Sequence, residues 1–333
     1  MTQKNPTSPQ GEESAPQEES APKITARGIF TLEGTDGHKG DPEAPLENLI
    51  FVPTHLAQGP WFSGALHGGA IVGLAAHAAE ITPAATKMRP TRITSELFRE
   101  VTLDPIRVNV EAVREGRRIQ LLRVSLWNEN KTKELSRAHV LRIREAPDEV
   151  SDDLQPDENL DSDMPVFPGE ESEVFTTGLT NIFQADQPAF PAAFNLRSKR
   201  DYSSPPSVAS IVPAWSDATL RSKRGYSSPR SVSWWKLNYP LVEDIPLTPF
   251  VRVATTADFL MSAGGLIGAA DYVSINPDLT IYLNKLTDDP WIALASEVRF
   301  SHDGVGLTDA ALYNRTSRIG NASKSLLIFR RRD

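Results

Sequence analysis

Two short stretches of this chain carry groups that could do chemistry. His67-Gly68-Gly69 heads an apolar segment rich in small residues, and Asp258 lies inside another (Val253, Ala254, Ala257, Phe259, Leu260). Two glycines where a helix begins leave backbone N–H groups uncovered. Aided by the helix dipole, such donors can hold an anion or a polarised carbonyl. An ionisable group among apolar neighbours is costly unless it has a partner, which is what singles out Asp258. A carboxylate that accepts a hydrogen bond from water makes that water a better nucleophile, and donors at a helix start can steady a developing oxyanion. Each motif also has a plainer reading. The glycines would let a buried helix sit close to its neighbours, and Asp258 would lie on the solvent face of its helix.

The elements that must position these groups can be read from periodicity. Between Gln58 and Glu80, the residues Ile71, Leu74, Ala75, Ala78 and Ala79 recur at spacings of three and four, which predicts a helix. Residues 249–270 predict a second long helix, interrupted or ended near Gly264-Gly265. After the first helix, strands are predicted at 92–98, 106–113, 118–127 and 136–143. After the second they are predicted at 279–283, 291–300, 305–313 and 323–329. Residues 46–53 predict an edge strand before the first helix, and 231–239 a strand before the second. A helix laid on an antiparallel sheet is an α+β arrangement. The halves correspond in detail: Thr102-Leu103-Asp104-Pro105 and Thr287-Asp288-Asp289-Pro290 each separate the first and second strands after the helix. Two copies of one unit are therefore expected, with sheets that could join and both helices on one side.

Composition narrows the function classes. The 333-residue chain has no Cys, so it has no disulfide, thiolate nucleophile or Cys-based metal site. Of six His, only His67 and His77 share a predicted helix, nearly three turns apart and too far for one metal ion. No metal and no cofactor is expected. A net charge of −8 argues against nucleic acid, and no apolar run reaches the length of a membrane span. With no recognisable signal peptide or other targeting signal, a cytoplasmic location is expected, a peroxisomal one remaining compatible.

Residues 1–24 are Pro, Ser, Gln and Glu with almost nothing apolar, a composition that predicts a disordered tail. Residues 148–174 are acidic and Pro-rich and predict a solvated linker between units 25–147 and 175–333; they lack the spacing and turn glycine of an EF-hand loop. Residues 196–208 (LRSKRDYSSPPSV) and 220–232 (LRSKRGYSSPRSV) differ at two of thirteen positions. Two copies are too few for a solenoid, so they are read as a local duplication within 196–232, or an error in the translated sequence. The twin RSKR clusters could grip phosphates, or be exposed basic loops.

GPW…HGG with its small-residue helix, then RPTRIT, ADF and SINPDLTIYL, in this order, resemble the double-hotdog thioesterases, and more narrowly the acyl-CoA thioesterase II type. The resemblance covers roughly residues 45–145 and 230–330. It implies a double hotdog that hydrolyses acyl-CoA to a carboxylic acid and CoA. The family holds its water with an Asp on the second helix, a Thr or Ser on the next strand and a Gln on the last strand. Carried over, these fall on Asp258, Ser274 and Lys324, the last a departure because no Gln is there. An ammonium donates but cannot accept. Lys324 would either pair with Asp258 and lower its basicity or point to solvent. His67, Gly68 and Gly69, with Trp61 and Phe259, would contact an acyl-CoA or related thioester. Gly264 and Gly265 would widen an apolar acyl tunnel. The competing reading is a non-catalytic acyl or polyketide-like ligand binder. A hydratase, for which His302-Asp303 is a poor echo, ranks last. Hotdog proteins commonly associate through sheet edges, so a homo-oligomer is expected.

Overall fold

A computed structural model describes residues 25–33, 49–59, 64–145, 164–169, 189–198, 226–227, 231–260, 272–301 and 303–330. Strands β1 (Phe30–Glu33) and β2 (Leu49–Pro53) lead into helix α1 (Gly68–Ile81). Four strands follow: β3 (Met88–Leu97), β4 (Ile106–Arg114), β5 (Ile119–Asn128) and β6 (Glu134–Arg144). The second half supplies β7 (Phe194–Ser198), β8 (Tyr226–Ser227), β9 (Ser231–Leu237) and helix α2 (Pro249–Ala257). It ends with β10 (Tyr272–Ile275), β11 (Asp278–Leu283), β12 (Trp291–Phe300), β13 (Val305–Tyr313) and β14 (Arg318–Arg330).

The strands form one sheet. Its order runs β2-β4-β5-β6-β3 in the first half and β11-β14-β13-β12-β9 in the second, joined where β3 pairs antiparallel with β11. Either side of the β3–β11 seam, the strands occur in the same sequence of roles. The pattern is the one expected of two sister units. At the seam Thr94 lies opposite Thr280 and Ile93 opposite Ile281, and the two threonine hydroxyls are 3.3 Å apart. The strand predicted at 46–53 is not an edge: β1 lies outside it. β1 also clasps the other half, with Phe30 N–H donating to Leu241 O and Glu243 N–H to Phe30 O (2.8 Å each). A four-residue strand carries too little periodicity to be legible alone.

The strands alternate as their sequences dictate. In β5, Gln120, Leu122, Val124 and Leu126 are buried towards the helices while the residues between them are half-buried. α1 is buried along nearly its whole length, from Gly69 to Ala79, as its apolar, Ala-rich sequence requires. His67 caps its start, and Pro83 follows its C-cap Thr82. At that end the buried Arg142 donates to Ala79 O, Thr82 O and Pro83 O (2.9–3.1 Å) and to Gln120 Oε1 (2.6 Å). A cation thus satisfies the carbonyls a helix leaves open at its C-terminus.

α2 is shorter than the helix predicted at 249–270. It spans Pro249–Ala257 and tightens into a 3₁₀ turn over 258–260; Gly264 and Gly265 lie outside the described residues. Thr248 Oγ1 caps it by accepting from Val251 N–H (3.3 Å), and Pro249 pre-sets its first turn. No helix among the described residues is long and apolar enough to cross a membrane.

Two sequence expectations change here. Within the stretch read as a solvated linker, Met164 and Phe167 pack on a small outer cluster of Trp234, Trp291 and Tyr313, with Phe167 about 5 Å from both indoles. Burial of aromatic area outweighs an acidic composition there. Within the first RSKR cluster, Arg197 is not exposed: it is buried on β7 with its guanidinium 5.3 Å from the Trp291 ring. Residues 1–24, 146–163 and 199–225, including most of the duplication, lie outside the described residues.

Candidate active site

α1 and α2 cross tightly because α1 offers glycines where α2 arrives. A Cβ on Gly69 would lie 2.5 Å from Thr255 O, and one on Gly73 would collide with Thr255 Oγ1. A Cβ on Gly68 would meet Asp258 Oδ2 at 2.6 Å. Of the two glycines of His67-Gly68-Gly69, Gly68 therefore admits the Asp258 side chain of the sister helix and Gly69 the Thr255 backbone carbonyl. The anion delivered to the α1 N-terminus is the carboxylate of Asp258, at the last turn of α2.

Asp258 is 6% exposed and densely partnered. Lys324, 2% exposed on β14, donates through Nζ to Asp258 O (2.6 Å) and Oδ1 (3.0 Å). Asn276 Nδ2 donates to the same Oδ1 (3.1 Å). His67 Nδ1 lies 3.1 Å from Oδ2. Burial alone would push this carboxyl up. The Lys324 ammonium and the hydrogen bonds from Lys324 and Asn276, joined by His67 when it is protonated, outweigh it and hold the group below the usual carboxylate range. Asp258 is therefore an anion at neutral pH, paired rather than solvated.

His67 is neutral. Burial brings its pKa down to about 4, with Asp258 pulling upward and Lys324 downward. Its Nδ1 accepts from Gly69 N–H (3.0 Å), so in the neutral state it makes no hydrogen bond to Asp258 Oδ2 and becomes an ion-pair partner only when protonated. Aromatic rings fix the imidazole: Phe190 stacks on it at 4.4 Å and Phe259 at 4.8 Å, and Phe259 lies flat on Trp235 at 4.0 Å. The buried carboxylate therefore sits beside an imidazole walled by aromatic rings, where charge interactions are strong.

The structure brings Asp258, Lys324, His67, Gly68 and Phe259 together, with Gly69 holding the imidazole. Lys324 pairs with Asp258 rather than pointing to solvent. Trp61 lies outside the described residues. Ser274 is buried on β10 opposite Ile328, four residues along β14 from Lys324, or about 13 Å by strand rise. The side chain that reaches the carboxylate from this connection is Asn276, two residues further on. Asn276-Pro277 ends the strand, and that turn signal was the available cue. Phe190 was missed as well; it comes from the segment joining the halves, and its N–H donates to Gln58 O (2.8 Å). Among the described residues no group of three or more His, Asp or Glu could hold a metal ion.

Two joined helix-on-sheet units define a class, that of the hotdog-fold proteins, and solved structures share the fold. The chain is similar to a tesB protein of Mycobacterium avium paratuberculosis, at 15% identity and a TM-score of 0.53 over 86% of this chain and 94% of that one. It is also similar to acyl-CoA thioesterase II TesB2 of Mycobacterium marinum, at 14% identity and a TM-score of 0.52 over 85% and 92%. A hot dog fold protein of Alicyclobacillus acidocaldarius matches at 13% identity and a TM-score of 0.52, over 91% and 96%. No protein of curated function matches the sequence. Family models for the acyl-CoA thioesterase N-terminal domain match residues 57–143, and for the C-terminal domain residues 181–328. The chain belongs to the acyl-CoA thioesterase family.

Proposed function

We propose that the chain hydrolyses an acyl-CoA to a carboxylic acid and CoA through a water held by Asp258, with Lys324 and Asn276 setting the carboxylate and His67 fixing the helix start beside it. The single observation that carries this reading is the buried anion of Asp258 at the crossing of the two helices. A paired carboxylate of lowered pKa is a weak base, so its part is to orient and polarise water more than to store a proton. An ammonium has three N–H groups, and two of those on Lys324 go to Asp258. The third is offered to the thioester carbonyl, where positive charge would stabilise the oxyanion as it forms. Lys324 would then supply electrostatic help in place of an amide that directs water. Ser274 would line the same face of the sheet.

A second reading keeps the acyl-binding fold without turnover. The observation favouring it is that Lys324 and Asn276 both occupy Oδ1, leaving Oδ2 alone to meet water. Free-thiol release from acyl-CoAs of graded chain length, by the parent and by Lys324→Gln, separates the two. Turnover by the parent supports the hydrolase. Acyl-CoA binding without turnover by either protein supports the binder. The units responsible are proposed to be residues 25–147 and 175–333.

A further inference from the structure

At the far end of α1 from Asp258, roughly 20 Å along a fourteen-residue helix, the sheet ends in a second feature that the hydrolytic reading does not use. A cleft of about 670 Å³ is lined by Arg114, Arg117, Arg118 and Arg144, with Thr86 and Gly116 in its wall. Its rim is built from backbone. β4 ends at Arg114 after a register shift, β5 begins at Ile119, and Arg144 N–H donates to Arg118 O (2.9 Å). Thr86 Oγ1 donates to Arg117 O (3.3 Å), tying the loop after α1 to the same hairpin. Arg114, Arg117 and Arg118 are exposed and Arg144 is half-buried.

The three exposed guanidinium groups of Arg114, Arg117 and Arg118 repel one another around one concavity that Arg144 also lines, and none can shed its proton near neutral pH. Among the described residues, the adjoining Glu145 pairs with Lys87 (2.7 Å), while Glu115, which accepts from the neutral Gln120 Nε2 (2.7 Å), keeps its charge and offsets only part of the positive excess. In a chain of net charge −8 this local excess of positive charge does not come from composition. A neutral ligand would leave the repulsion in place, and a single carboxylate would offset only part of it. Clustered phosphate oxygens match both the charge and the forked geometry of several arginines. We infer that this cleft binds the phosphates of a nucleotide. The source is either the nucleotide end of CoA, which rests on the proposed function, or a free nucleotide bound apart from it.

Calorimetric titration of the full chain with adenosine 3′,5′-bisphosphate at low salt tests the inference directly. The parent should bind, and more weakly as salt rises. The Arg117→Ala/Arg118→Ala double variant should bind roughly tenfold or more weakly. Both side chains are exposed, so an unchanged melting temperature serves as the folding control. If the parent does not bind, or the variant binds equally well, the inference is overturned. KM values for an acyl-CoA and the matching acyl-pantetheine tell the sources apart. A rise for acyl-CoA alone in the variant places the CoA nucleotide in the cleft; no rise, with Arg-dependent binding retained, assigns it to a free nucleotide. Arg-dependent binding by a parent that releases no thiol would uphold the cleft and sink the hydrolase.

Discussion

Acid should weaken this fold as pH falls below about 6.5, and His77 allows the effect to be isolated. His77 is 6% exposed on α1, edge-on to Phe51 with ring centroids 6.0 Å apart. Burial brings its pKa from 6.5 down to about 4. Between those values the unfolded chain carries a proton on this residue that the folded chain refuses, so stability falls as pH falls and the loss levels off below about pH 4. At about pH 4.5 the two values correspond to roughly 2–3 kcal/mol lost relative to neutral pH. His77→Leu keeps the volume and removes the titration. Urea denaturation near pH 7.5 and pH 4.5 should show the variant close to the parent at the higher pH, and ahead of it by roughly 2–3 kcal/mol at the lower. His67 has the same direction of shift and remains in both proteins, so it cancels from the comparison. Equal pH dependence in parent and variant would refute the assignment of a neutral, desolvated imidazole.

Gly69→Ala would push a methyl group into Thr255 O, a backbone atom that cannot swing away, and should cost about 1–3 kcal/mol in chemical denaturation. Arg142→Leu strips the carbonyls of Ala79, Thr82 and Pro83 of their buried donor and should lower stability by about 3 kcal/mol, read from the same melts. Lys324→Met leaves the Asp258 anion without its ammonium and should cost about 3–5 kcal/mol. Combining it with Asp258→Asn should cost less than the two single changes added, because the double variant holds no unpaired buried charge; additive costs in the cycle would contradict the ion pair.

The backbone frame was legible because its signals are local. Alternation in 291–300 and 305–313 gives β12 and β13 to the residue, and small residues at helical spacing give α1. The pairing of Lys324 with Asp258 was one of two readings left open by the resemblance, and it is the one observed. What stayed hidden depends on partners distant in sequence. Phe190 matters because His67 lies under it, and Arg197 is buried because Trp291 offers it a ring. Met164 and Phe167 leave an acidic stretch because tryptophans on the sheet's outer face receive them. Asn276 was passed over in favour of Ser274 because string similarity fixes a turn only to within a residue or two, while a two-residue step along an extended chain moves a side chain several ångströms. The plainer reading of the glycines was also right in part: both admit close contact, Gly69 with the Thr255 carbonyl and Gly68 with the carboxylate.

The most direct measurement is kcat/KM for thiol release from an acyl-CoA by the parent and by Asp258→Asn, each shown to be folded by its denaturation curve. Loss of the carboxylate is predicted to lower kcat/KM by about 10²- to 10⁴-fold while acyl-CoA binding persists. A folded Asp258→Asn protein that hydrolyses as fast as the parent would contradict the assignment of the water-holding group.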